Sequence, residues 1–225
     1  MFDSGARQHP FERVQVKTLV LAVVALMAAY VLYHNESFLV NSAAPVWKHY
    51  APFKWWLLGH GLAGVSALVL APMQFSDRLR QRFTKLHRIT GRVYVAAAFT
   101  LAPLGAYIQY LDEAQGASWT FTVETLMQAS LMMITTGVGF VFAMKRMIPQ
   151  HRQWMTRSYA VALTFLEIRV ILGVTGWDTP FNWEIVETVV MVCVGSSVLV
   201  GDIANQVYEL RSMRARPARA QRQAA

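Results

Sequence analysis

Long apolar stretches recur at residues 18–33, 55–75, 93–110, 123–144, 158–176 and 185–207, separated by short polar connections. A bilayer core of about 30 Å is crossed by about 20 helical residues. The pattern therefore predicts an all-α fold: a polytopic transmembrane bundle of about six helices. The first stretch follows a basic segment and precedes small residues around position 43, the outline of a signal peptide. Its apolar run is longer than a signal core and the small residues lie well past its end, so it is read as an uncleaved anchor. This divides the chain into a short N-terminal segment (1–17), a membrane domain (18–208) and a basic tail (209–225), expected to be disordered. Spans two to five are expected to form the core, with the first and sixth at its periphery.

Composition agrees, with 55% hydrophobic and 15% charged residues against roughly 25% charged in soluble domains. The net charge of +8 could signal nucleic acid, but its distribution follows topology. Lys and Arg fall in the N-terminal segment, the second-to-third connection, the fourth-to-fifth connection and the tail. Lys48, Lys54 and Arg169 are the exceptions, and Glu36, Asp112, Glu113, Asp178 and Glu184 lie in the alternate connections. Basic connections stay in the cytoplasm, so a multi-pass protein of a bacterial inner membrane with both termini cytoplasmic is expected. Its partners are the bilayer and anionic lipid headgroups around the Arg-rich tail, with no need for nucleic acid. Trp47, Trp55, Trp56, Trp119, Trp177 and Trp183 sit at the proposed outer ends, as interfacial anchors do, and Trp154 alone marks the other side. Gly59, Ala63, Ala67 and Ala71 repeat at four-residue spacing, a stripe that admits a neighbouring helix closely. Cys193 is the single cysteine. It excludes an internal disulfide and reads as a small apolar residue. No Gly-rich phosphate loop, HExxH or nucleophile elbow is present, and whether the chain is an enzyme stays open.

Ala71-Pro-Met-Gln-Phe75, Leu86-His-Arg-Ile-Thr-Gly-Arg-Val-Tyr94 and His151-Arg-Gln-Trp-Met-Thr-Arg-Ser-Tyr-Ala160, with Arg169 downstream, resemble the DUF2306 family of predicted bacterial membrane proteins. The resemblance implies a membrane fold and no established activity. It directs attention to His60, Gln74, His87, Arg88, Arg92, Tyr94, His151, Trp154, Arg157, Tyr159 and Arg169. The two His-Arg motifs, each leading through Arg-x-Tyr into a span, suggest an internal repeat of helix pairs.

The polar groups fall into two layers. The inner one holds His87, Arg88, Arg92, Tyr94, His151, Arg157 and Tyr159, near the cytoplasmic interface. There a b-type haem is the sharpest hypothesis, with His87 and His151 on the iron and Arg side chains on the propionates, serving electron transfer with a quinone. The alternative is that these residues are interfacial anchors that snorkel to headgroups. The outer layer holds His60, Glu124, Glu167, Arg169 and Glu187. An Arg in mid-span costs at least about 2.5 kcal/mol and demands a partner. Glu167 is two residues away on another side of the helix, leaving Glu124 or Glu187, or a substrate. Asp202, close to the cytoplasmic end, needs only solvation. His60 has Gly64 one turn along, leaving room for a flat group or a packed helix. Three functions follow: a haem-binding redox protein, an accessory or scaffold subunit of a membrane complex, or a transporter or lipid-binding protein using Arg169.

Overall fold

The computed structural model describes residues 10–34, 41, 43, 46–177, 180 and 182–223. Arg7, Glu36 and Asp178 of the charge pattern lie outside them. In chain order come α1 (Pro10–His34), α2 (Val46–Tyr50), a 3-10 turn (Ala51–Phe53), α3 (Lys54–Gln74), α4 (Asp77–Arg82), α5 (Thr84–Glu113), α6 (Trp119–Met144), α7 (Ile148–Thr175) and α8 (Trp183–Gln223). No strand occurs among the described residues. Five helices, α3 with its preceding turn and α5 to α8, are long and apolar enough to cross a membrane. Thr18–His34 of α1 adds a shorter apolar stretch.

The helix ends follow local chemistry. Pro72 lies in the last turn of α3, and Ser76 then caps α4 by accepting the Leu79 N–H at 3.3 Å. A proline near the first position opens α7 and Gly176, at φ 70°, closes it in the left-handed conformation that only glycine adopts without strain. Both α5 and α7 begin well before their apolar stretches. His87 and His151 therefore each occupy the fourth position of a helix instead of a connection. Polar residues extend a helix readily where it leaves the hydrocarbon, and hydropathy does not register those turns. For the same reason α8 continues to Gln223, through the Ala-, Arg- and Gln-rich tail expected to be disordered.

Four helices, α3, α5, α6 and α7, pack in a closed ring in which α3 meets α5, α5 meets α6, α6 meets α7 and α7 returns to α3. This places α5 and α7 on a diagonal. The predicted small-residue stripe is buried, with Ala63, Ala67 and Ala71 against Ala97, Ala98 and Ala102 of α5. Large side chains such as Leu62, Val65 and Val69 face outward. Small residues inside and large apolar ones outside are what lipid as solvent selects. The sixth span is not peripheral. Val186, Val189, Val190, Cys193 and Val194 of α8 form a second core with Leu172 of α7, joined by Phe121, Met127 and Leu131 of α6. The 3–4 spacing of those residues gives α8 an apolar face as continuous as a core helix requires. Of the long helices α1 is the peripheral one, and among the described residues it packs chiefly on α7.

Candidate functional site

The motif residues form successive polar levels through the bundle, rising from the end that carries the basic connections, here the basic end, to the opposite tryptophan end. At the basic end α7 and α8 are zipped together. Arg157 Nε donates to Asp202 Oδ1 at 2.6 Å, Gln153 Nε2 to Glu209 Oε1 at 2.6 Å, and Asn205 Nδ2 to the Gln153 carbonyl at 3.1 Å. The Arg157 guanidinium also lies 4.7 Å from the Trp154 ring. Asp202 thus does more than meet solvent: it neutralises a half-buried Arg. Arg157, expected on a propionate, is engaged on α8.

At the same end, about one and a half turns before Arg157 on α7, His151 Nδ1 lies 2.8 Å from the Gly139 carbonyl of α6. Gly139 lets Met155 pack closely there, since a Cβ would sit 2.8 Å from Met155 Sδ. Across the bundle the Gln74 amide of α3 reaches Thr90 of α5, with Nε2 and Oγ1 2.6 Å apart. A Cβ on Gly91 would come within 3.1 Å of that amide, and the amide's end lies 3.2 Å from His87 Nδ1. His87 and His151 are close enough for a charge on one to act on the other. Arg88 and Arg92 are exposed beside them.

Deeper still, Tyr94 Oη lies 2.7 Å from Ser158 Oγ, which lies 2.6 Å from Thr136 Oγ1, so that three fully enclosed hydroxyls join α5, α7 and α6. Tyr159, at the matching place in the other motif, packs on Phe75 with ring centroids 5.7 Å apart. Its buried hydroxyl has no partner. Ser158 and Thr136 escaped the sequence reading, although Ser158 stands between two motif residues; only the helical phase that turns it toward Tyr94 distinguishes it. These residues lie within a single family signature. The chain belongs to the DUF2306 family of predicted membrane proteins. The family model matches residues 57–204, from the start of α3 to the Arg157–Asp202 contact on α8. No curated protein and no solved structure matches the chain.

In the tryptophan half the structure redistributes the outer layer. Gln128 of α6 donates from Nε2 to Thr164 Oγ1 of α7 at 2.6 Å. His60 Nδ1 lies 2.8 Å from the Leu101 carbonyl of α5, an imidazole tied to a neighbouring helix. The room for it is made by Gly105, where a Cβ would fall 2.9 Å from His60 Cε1, and not by Gly64, where a Cβ would meet nothing within 4 Å. Gly105→Ala should therefore dislodge the imidazole and destabilise the bundle, whereas Gly64→Ala should be neutral or gain up to about 1 kcal/mol from helix propensity. Thermal unfolding in micelles reads the difference, and equal stability of the two variants would contradict the assignment.

Arg169 is not paired with Glu124, Glu167 or Glu187 among the described residues. Its guanidinium lies 5.4 Å from the Phe165 ring, one turn back. Because α7 ends at Thr175, Arg169 stands in its last two turns, about 9 Å from the helix end. From there its long side chain can reach the interface without a buried counter-ion. Glu167 is half-buried near Cys193. Glu124 is 1% exposed and faces α8, where Glu187 accepts a hydrogen bond from Ser118.

Proposed function

We propose that this DUF2306 protein is a b-type haem carrier of a bacterial inner membrane, exchanging electrons with a quinone, its basic end and both termini in the cytoplasm. The observation that carries the reading is the donor set. His87 and His151 each occupy the fourth position of a helix, on the diagonal pair α5 and α7, and among the described residues no three His, Cys, Asp or Glu side chains converge. Two imidazoles serve a metal that brings its remaining ligands with it, as haem iron does. The Gly139 carbonyl supports the fit. It can take the Nδ1 proton of His151, fixing the ring and leaving Nε2 as the coordinating nitrogen, the outer-shell arrangement that metal-bound imidazoles use. Arg88 and Arg92 are the cations left for propionates, because Arg157 is held by Asp202. Haem so bound supplies one-electron chemistry. The chain contributes its orientation and, through the Tyr94–Ser158–Thr136 level beneath, a closed floor that excludes water.

The test is the absorption spectrum of the full chain purified from cells supplied with a haem precursor. A Soret band that shifts on reduction is expected, and it should disappear in His87→Ala and in His151→Ala while the variants still elute as single species. A colourless wild-type protein overturns the reading. The scaffold reading then stands, favoured by the fact that His60 and His151 each already tie two helices through a backbone carbonyl.

A further inference from the structure

At the tryptophan end a cavity of about 310 Å³ opens between the first turns of α6 and α8. Its polar lining is Glu124, Glu184 and Glu187 with Thr120 and Thr188, and no basic residue lines it among the described residues. Glu184 stands in the first turn of α8, at the positive end of its dipole, and Glu187 accepts a hydrogen bond from Ser118. Glu124 differs. It is 1% exposed, and its Oε2 is buried without a hydrogen-bond partner. It is also close enough to Glu187 for the two charges to act on each other. An enclosed carboxylate beside a second one, with no cation among the described residues lining the cavity, is costly unless it takes up a proton or a cation.

We infer that the cavity between α6 and α8 binds an organic ammonium ion, its charged head between Glu124 and Glu187. This is independent of the haem reading and lies at the other end of the bundle. A bare metal ion suits the site poorly, because the three carboxylates that line it do not come together as a metal-ligand set among the described residues. Met191, Val192 and the threonine methyls instead provide an apolar wall for a short alkyl group. The volume, at the lower end of small-molecule pockets, admits an amine of a few carbons. The same chemistry is presented by a free amine in solution and by the ethanolamine headgroup of a phospholipid.

The experiment is calorimetric titration of the full chain in dodecyl maltoside, a detergent without amine or charge, with n-butylammonium chloride. Saturable binding is expected, at least tenfold weaker in Glu124→Gln, since one charge-assisted contact is worth about a factor of ten. The amide has the shape of the carboxyl it replaces. Should that variant fail to elute as a single species, Glu187→Gln provides the same readout. Displacement of n-butylammonium by added phosphatidylethanolamine assigns the headgroup as the natural occupant, and persistence of binding assigns a free amine. Equal heats with n-butanol, unchanged affinity in a folded Glu variant, or binding of calcium without binding of n-butylammonium would each overturn the proposal.

Discussion

Gly201→Leu should detach α8 from α7, lowering stability by about 3 kcal/mol or more, the upper range of overpacking costs. The atom nearest to a Cβ at position 201 is the Arg157 Cα, at 2.8 Å, with the Arg157 backbone nitrogen at 3.3 Å. Backbone cannot rotate away as a side chain can, so the helices must separate. Separation breaks the Arg157–Asp202 and Asn205–Gln153 contacts that the approach makes possible. Gly195→Leu on the same helix is the control, because a Cβ there meets nothing within 4 Å. Reversible unfolding in mixed micelles, or the rate of proteolysis within α8, distinguishes the two. If both variants behave alike, α8 does not depend on close backbone contact.

Tyr94→Ala should cost about 3–5 kcal/mol, the range for emptying a buried aromatic site, since Tyr94 is 0% exposed at the junction of α5, α6 and α7. Tyr94→Phe keeps the ring and the Ser158–Thr136 bond, and should lose only about 0.5–2 kcal/mol for one interhelical hydrogen bond in a membrane. Tyr159→Phe should be neutral or slightly stabilising, because its enclosed hydroxyl bonds to nothing. The order Ala, then Phe at 94, then Phe at 159 is the prediction. A Tyr159→Phe variant as damaged as Tyr94→Phe would mean that the two motif tyrosines are equivalent, which the geometry denies.

The apolar centres of the spans, the Trp-marked end and the alanine stripe of α3 were legible because each depends on one helix and its solvent. Helix ends were not. Hydropathy stops at the first charged turn, and so His87, His151 and Arg157 were placed before helices that in fact contain them. The outer end of the fifth span was placed within a residue of where α7 stops, and the counter-ion for Arg169 was called for because the reach of a long side chain from the last two turns was not weighed. Asp202 was set aside as solvated, although an Arg and an Asp at the same depth on different helices are a pair worth proposing from sequence alone. Gly64 was named as the room beside His60 because spacing within a helix reveals neighbours on that helix only. The glycine that matters to His60 lies 45 residues on, across an interface that no periodicity encodes. The central place of α8 was missed for a related reason: its valine face was visible, but the partner that covers it was not.

The Tyr94–Ser158 bond runs along the diagonal of the four-helix ring. Four rods linked only edge to edge can shear from a square into a rhombus; a single cross-brace removes that freedom. It leaves torsion about the brace as the soft deformation. Any movement that widens one mouth of the bundle should then pivot at the depth of Ser158, where displacement is smallest, with the two ends swinging in opposite senses.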